Sequence, residues 1–426
     1  MSTGKFLLVI TAFISLFVLY SSAYVISETE QVIITQLGKP IGDPITEAAV
    51  REIIGDSYET LGRYEMADPE YTRALEIRTE LLGPYAAKTL ESADDLGILR
   101  LEQGRLDEAG ELFTYALKGR KETLGPEHPE TIASTLNLAN LEYSKQEFDV
   151  ARSMYEQAYD ASLRVNGEMH PMSILILGSL GEVHSKLGEL DLAKELLIKE
   201  LRLNKLIYGE DALETMQTTR NLAGIAVKTG DWSTASDYLE PALRAYKKSL
   251  GDRHSATLSV MYELGLTRRV QKRLREAEEL LQAAYQGQNE LLGEGHPDTA
   301  NTLFQVGFLY LEKQEFTAAH EYWVLAQRSN LKANGLDNPQ TLLSMRIRAD
   351  VAMNVGLFQD AEATLAQIDQ ICLDDTLNFS ASLCGAAPGL HKQLYTLWNE
   401  AEPGSGYDVK AAKWDAILQG GANPTN

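Results

Sequence analysis

Basic residues are scarce in this chain. Thirty-nine Lys and Arg stand against 61 Asp and Glu in 426 residues, a formal charge of −22. Such a surface repels nucleic-acid phosphates, which argues against nonspecific binding to DNA or RNA. Cysteine is nearly absent, with only Cys372 and Cys384, too few to name a redox compartment. No CxxC, GxSxG or HExxH occurs, so the common redox, hydrolase and zinc-protease arrangements are missing. No glycine-rich phosphate loop follows a strand-like run. Seven histidines are present. His128, His170, His254 and His296 lie 42 or 84 residues apart and so fall along an edge instead of converging on one point. His184, His320 and His391 have no Cys or carboxylate at metal-ligand spacing. The chain therefore reads as a protein that is not an enzyme and needs no metal or cofactor.

What is present is a period. Ala67, Ala109, Ala151, Ala193, Ala235, Ala277, Ala319 and Ala361 are spaced by 42 residues. Twelve residues before each stands Gly or Ala: Gly55, Gly97, Ala139, Gly181, Ala223, Gly265, Gly307 and Ala349. Four residues after each stands a large apolar side chain, from Tyr71 and Phe113 to Trp323 and Leu365. A fixed period of this length marks a repeat array. Within one period the apolar residues recur at helical spacing twice. In the third repeat the helices run from about Glu130 to Ser144 and from Phe148 to Val165. Small residues let two antiparallel helices approach, and large residues fill the space beside them. Gly62, Gly104, Gly188, Gly230 and Gly356, or Gln146, Lys272 and Gln314, occupy the tight turn, where a helix C-terminus needs positive φ. Gly83, Gly125, Gly167, Gly209, Gly251, Gly293 and Gly335 punctuate the link to the next repeat, often before His-Pro. Thr131, Thr215, Thr257, Thr299 and Thr341 stand where the next helix begins.

These residues resemble the tetratricopeptide repeat, and the 42-residue period with LGxxHPxT is similar to its kinesin light chain-type, bacterial subgroup. The resemblance implies an all-α, right-handed α-solenoid of about eight helix-turn-helix repeats over residues 48–370, with a concave face that holds protein or peptide partners. Glu200 replaces the Ala of other repeats, and Arg348 replaces an apolar residue in the eighth.

The N-terminus differs. Residues 6–26 carry no charge, and 13 of these 21 are Leu, Ile, Val or Phe. As a helix they reach about 31 Å, the thickness of a hydrocarbon core. Lys5 before them and Glu28 and Glu30 after place residues 1–5 in the cytoplasm and the repeats across the membrane by the positive-inside rule. The expected location is a bacterial inner membrane, single-pass, with periplasmic repeats. A cleavable signal ending near Ala23 is the rival reading. Residues 27–47 read as a strand followed by a Gly/Pro turn. Anchor plus strand resembles the start of HflC-like band 7 proteins, which implies, as the alternative function, modulation of an FtsH-type membrane protease.

Residues 371–387 form a connector, and residues 388–418 read as two capping helices split at Pro403-Gly404-Ser405-Gly406, with 419–426 a disordered tail. Cys372 and Cys384 can close a disulfide if exported, or remain two thiols.

The binding candidates lie on the first helices of the repeats. Asn137, Asn140, Asn221, Asn301 and Gln305 offer amides, which both donate and accept and suit an extended backbone; Asn137 and Asn140 resemble the backbone-clamping asparagines of the family. Arg268, Arg269, Lys272, Arg273 and Arg275 form a cationic cluster, which Arg220, Lys228 and Arg346 extend into a stripe for an acidic or carboxylate-bearing peptide. The bland reading is salt-bridging of this cluster to Glu276, Glu278 and Glu279.

Overall fold

The computed structural model describes residues 35–36, 39–40, 44–60, 63–336, 338–373 and 384–419. The apolar run 6–26, the expected tail from residue 420 onward and most of the connector lie outside the described residues. Among the described residues no helix is long and apolar enough to cross a membrane. Of the expected strand, Thr35–Gln36 pairs antiparallel with Lys39–Pro40, and the preceding residues lie outside the description.

The described chain is otherwise helical and divides into two compact units, Met1–Leu203 and Asn204–Asn426. In the first unit the hairpins are α1 (Pro44–Thr60) with α2 (Tyr64–Leu82), α3 (Ala87–Glu102) with α4 (Leu106–Thr123), α5 (Pro129–Ser144) with α6 (Phe148–Asn166), and α7 (Pro171–Lys186) with α8 (Leu190–Ile207), whose last four residues belong to the second unit. The second unit holds α9 (Leu213–Lys228) with α10 (Trp232–Leu250), α11 (Ser255–Val270) with α12 (Leu274–Leu291), α13 (Pro297–Glu312) with α14 (Phe316–Asn334), and α15 (Pro339–Asn354) with α16 (Phe358–Leu373). A last hairpin, α17 (Ala387–Ala401) and α18 (Tyr407–Leu418), packs on α16. In each unit the second helix of one hairpin packs on the first helix of the next.

The periodic small residues set this packing. All eight alanines of the 42-residue series are fully buried. A Cβ added at Gly97 would lie 2.6 Å from Phe113, one at Gly181 2.7 Å from Leu197, and one at Gly307 2.6 Å from Trp323. The large residue of the second helix thus sits where the first helix has no side chain. The tight turns are left-handed: φ is 74° at Gly104 and 76° at Gly230, and also 65° at Gln146, 61° at Lys272 and 63° at Gln314.

The start of each first helix is capped differently from the sequence expectation. The threonines lie one turn inside, and the hydroxyls of Thr131, Thr215, Thr299 and Thr341 donate back to the carbonyls of Gly125, Gly209, Gly293 and Gly335. In four of the first helices the cap itself is histidine. Nδ1 of His128, His170, His254 and His296 accepts from the amide two residues on at 3.1–3.3 Å, and Asn338 does the same with its side-chain oxygen at 2.8 Å. Periodic histidine therefore reflects a repeated helix start.

A second periodic device joins repeats. Arg78, Asn204 and Gln288 hydrogen-bond to Ser92, Thr218 and Thr302, each 14 residues on, at 2.8, 2.9 and 2.6 Å. Arg120 reaches Ser134 likewise. Cys372 occupies the same periodic slot in the last repeat, and there it forms a disulfide with Cys384. The final hairpin then covers the end of the array with stacked rings: Trp398 on Tyr407 at 4.2 Å and His391 on Trp414 at 4.1 Å.

The worn positions are accommodated. Buried Glu200 faces Gly178, whose missing side chain leaves it room. Arg348 pairs with Asp360, which also accepts from His320 at 2.9 Å.

Replacing His170 by Ala removes a cap and lowers unfolding stability by about 0.5–2 kcal/mol, whereas Asn at the same position restores most of it. Chemical denaturation of the three proteins checks this ranking. Gln314→Gly relieves a left-handed non-glycine residue and raises stability by about 1 kcal/mol; a loss of stability in the same assay contradicts that account.

Candidate binding face on the first helices

Regular spacing brings residues 133, 136, 137, 140, 143 and 144 of α5, and their equivalents 42 residues apart, onto one face of each first helix. The two units use that face differently.

In the first unit it is acidic. α1 brings Glu52 and Asp56, and α3 brings Glu91, Asp94 and Asp95. Burial pushes the Asp95 carboxyl up to about 7, and the charges of Glu52, Glu91, Asp56 and Asp94 add to the effect. Burial also raises Asp94 and Glu52, despite their partners Arg120 and Arg78. Asn137 lies close enough to Asp94 to oppose that rise. Asn140 accepts the Tyr155 hydroxyl at 2.7 Å, so it holds the large residue of its own hairpin. Asp56 does the same for Tyr71 at 2.6 Å.

In the second unit the face is built from α9, α11, α13 and α15, and the sequence-predicted cations find partners there. The guanidinium of Arg220 forks onto Glu263 at 2.5–3.0 Å. Arg269 pairs with Glu312 at 2.6 Å, donates to Gln305 at 3.2 Å and stands 5.7 Å from the centre of the Phe308 ring. Lys272 shares Glu312 at 2.9 Å. These pairs run from one first helix to the next, so the cationic stripe is a ladder between repeats. Within the expected cluster, Arg273 does pair with Glu276 at 2.7 Å, but Glu278 binds Lys313 instead.

Arg268 requires correction as an accessible binding residue. It is 3 % exposed and is held by Glu240, Ser236 and Gln271, with Glu276 at 3.3 Å. It lies one helical position from Arg269 and faces the neighbouring hairpin, so it serves packing. Of the remaining candidates, Lys228 and Asn301 are exposed and Arg346 is half-buried. Among the described residues Arg346 makes no ion pair. Asn221 accepts from Gln217 at 3.2 Å.

Pattern reading missed the cavity at the centre of this face. A pocket of about 290 Å³ is lined by Ala223, Gly224, Val227, Trp232, Leu239 and Leu266, with Glu263, Arg269 and Gln305 at its polar border. Its cause is Gly224. The equivalent position holds Asn140, Leu266, Phe308 or Asp350 in other repeats, and a Cβ at Gly224 would meet nothing within 4 Å. The signal in the sequence was a mid-helix glycine outside all three glycine-bearing series. The half-buried Tyr262, Phe304 and Phe308 continue the apolar surface across α11 and α13.

A sequence profile for tetratricopeptide repeats matches residues 46–122, 99–164, 172–248 and 255–322, together more than half of the chain. The chain belongs to the tetratricopeptide repeat family. This family is one of protein-interaction scaffolds that are generally non-catalytic. No functionally curated protein matches the chain. Among solved structures, the apo form of the quorum sensor NprR from B. thuringiensis is similar over 78% of this chain and 89% of its own, at 15% identity and TM-score 0.56. A Rap protein complexed with competence and sporulation factor is similar over 88% and 98%, at 14% identity and TM-score 0.51. A putative kinesin light chain with nearly identical TPR-like repeats from Podosopora anserina matches 47% of this chain and 95% of its own, at 23% identity and TM-score 0.40. These likenesses concern the fold.

The tetratricopeptide face of the first unit has a titrating group of its own. Asp95 is neutral more readily folded than unfolded, because its folded-state pKa lies above its unfolded one. Its contribution is therefore fully present below the unfolded value, near 4, and is lost as pH rises through about 7. Asp95→Asn should raise the thermal midpoint at pH 8, by about 1 kcal/mol or more of stability, and change it little at pH 4. An equal effect at both pH values contradicts the assignment.

Proposed function

We propose that this protein is a membrane-anchored, non-catalytic scaffold that holds peptide segments of partner proteins on the first helices of its second unit. The observation that carries the reading is the open pocket at Gly224, bordered by Arg269 and Gln305 on a helix face otherwise closed by ion pairs between repeats. Asn301, Lys228, Asn221 and Arg346 supply further polar groups on the same set of helices, and Arg220 orders the border by holding Glu263. Net positive charge along this ladder, with Lys272 and Arg269 sharing one carboxylate, favours acidic or carboxylate-bearing segments. Asn137 and Asn140 offer a second amide pair in the first unit. Peptide-level recognition is in keeping with the Rap structure, which was solved with its competence and sporulation factor.

The anchor is residues 6–26, and the repeats lie on the far side of the membrane from residues 1–5. Support comes from the uncharged run itself and from the Cys372–Cys384 disulfide, a bond that persists in oxidising compartments. The HflC-like alternative rests on residues 5–48 alone.

Three measurements test this. Protease added to spheroplasts, whose outer membrane has been opened, should degrade a C-terminal tag; full protection sinks the topology. Removal of residues 1–47 should leave partner crosslinking intact but release the protein from membranes. Association with a membrane protease that needs residues 1–47 and not the repeats would favour the HflC-like reading. The triple variant Asn301→Ala, Gln305→Ala, Arg346→Ala should weaken a crosslinked partner at least about tenfold, the worth of roughly 1.4 kcal/mol, with an unchanged thermal midpoint.

A further inference from the structure

Glycine inside a helix costs about 0.5–1 kcal/mol relative to alanine. Most helical glycines on the first helices of this array have a packing reason. At Gly55, Gly97, Gly181, Gly265 and Gly307 an added Cβ would strike the large residue of the second helix at 2.6–2.9 Å. Gly224 has none. It lies in mid-α9, is exposed, and a Cβ there would enter open space. What its bare backbone produces is the pocket. The floor is Ala223 and Leu239, and the walls are Val227, Trp232, Leu266 and Val270.

The pocket lies at the lower end of the roughly 300–1,000 Å³ of ligand sites, with room for one large apolar side chain and the main chain beside it. Its border carries an unfilled donor. Nε of Arg269 is buried and has no acceptor, although the terminal nitrogens of the same guanidinium bind Glu312 and Gln305. A buried donor without an acceptor is unfavourable by about 1–3 kcal/mol, and a small turn of the guanidinium toward an acceptor seated in the pocket relieves it.

We infer that the Gly224 pocket is the anchor site for one unbranched or γ-branched apolar side chain, Leu or Met, of an extended partner segment whose adjacent main-chain carbonyl accepts from Arg269 Nε. This rests on the scaffold reading above and specifies its ligand. The anchor gives the affinity, and the arginine sets the direction and register of the chain. The rest of the segment then runs past Gln305 toward the exposed Asn301.

The probes are acetyl-Gly-Leu-Gly-amide and acetyl-Gly-Ser-Gly-amide, titrated into the full-length protein in detergent while the indole N–H signal of Trp232 is followed. The leucine peptide should shift that signal at millimolar concentration, and the serine peptide should not. Gly224→Leu places a side chain in the cavity without straining the helix. It should keep or raise the thermal midpoint and abolish the shift. Arg269→Lys retains the charge but has no Nε–H, and should weaken the leucine peptide about tenfold. No response to the leucine peptide in the wild type, or an equal response in Gly224→Leu, overturns the inference. The scaffold reading is judged separately. If a crosslinked partner is lost in the Asn301, Gln305, Arg346 triple variant and retained in Gly224→Leu, the face binds partners and the anchor proposal alone is wrong.

Discussion

The contact between a missing side chain and a large one holds this protein together. In each hairpin the first helix offers Gly or Ala, and the second lays a Tyr, Phe, Leu or Trp across it. Because the helices then approach to backbone distance, dispersion contacts are dense and nothing larger fits. Every other feature is placed relative to this contact. The left-handed turn must return the chain at once, so it takes Gly or, at higher conformational cost, Gln146, Lys272 or Gln314. The histidine cap must start the next first helix in step, and a stack of hairpins results without any long-range folding instruction.

Polar groups in such a stack cannot be idle, since burial without a partner is unfavourable. At four of its positions, Arg78, Arg120, Asn204 and Gln288, the slot ties one repeat to the next, and at the last repeat a covalent bond from Cys372 replaces the hydrogen bond. The ion-pair ladder Arg220–Glu263 and Arg269–Glu312 does the same along the first helices. A cationic cluster read as a free surface is thus mostly internal structure. Its members differ in accessibility by virtue of one residue of helical phase, as Arg268 and Arg269 show.

The candidate site lies where the regular scheme is relaxed. Gly224 forgoes helix stability and opens a cavity. Asp95 sits in a carboxylate cluster whose members oppose one another's ionisation. Neither is required by the hairpin contact, and both lie on the first-helix face, where departures from regularity do not break the stack. The two units therefore present chemically different faces, one crowded with carboxylates and one apolar with a polar border.

The hairpin array was legible in the sequence, because its decisive contact is local: Ala151, Ala139 and Tyr155 lie within one repeat, and a period of 42 residues repeats them without ambiguity. The turns were legible for the same reason. The site was legible only in outline. Helical phase put Arg269, Gln305 and Asn301 on one set of helices, but it could not show that Arg269 pairs with Glu312, 43 residues away, or that Arg268 turns inward to Glu240. Nor could it show that Cys372 meets Cys384, or that histidine and not threonine caps four of the first helices. The cavity at Gly224 belongs to the same class. A glycine in a string of letters states only that a side chain is missing; whether the gap is filled by a neighbour, as at Gly97, or left open depends on the helix packed against it, and that is settled only when the chain is folded.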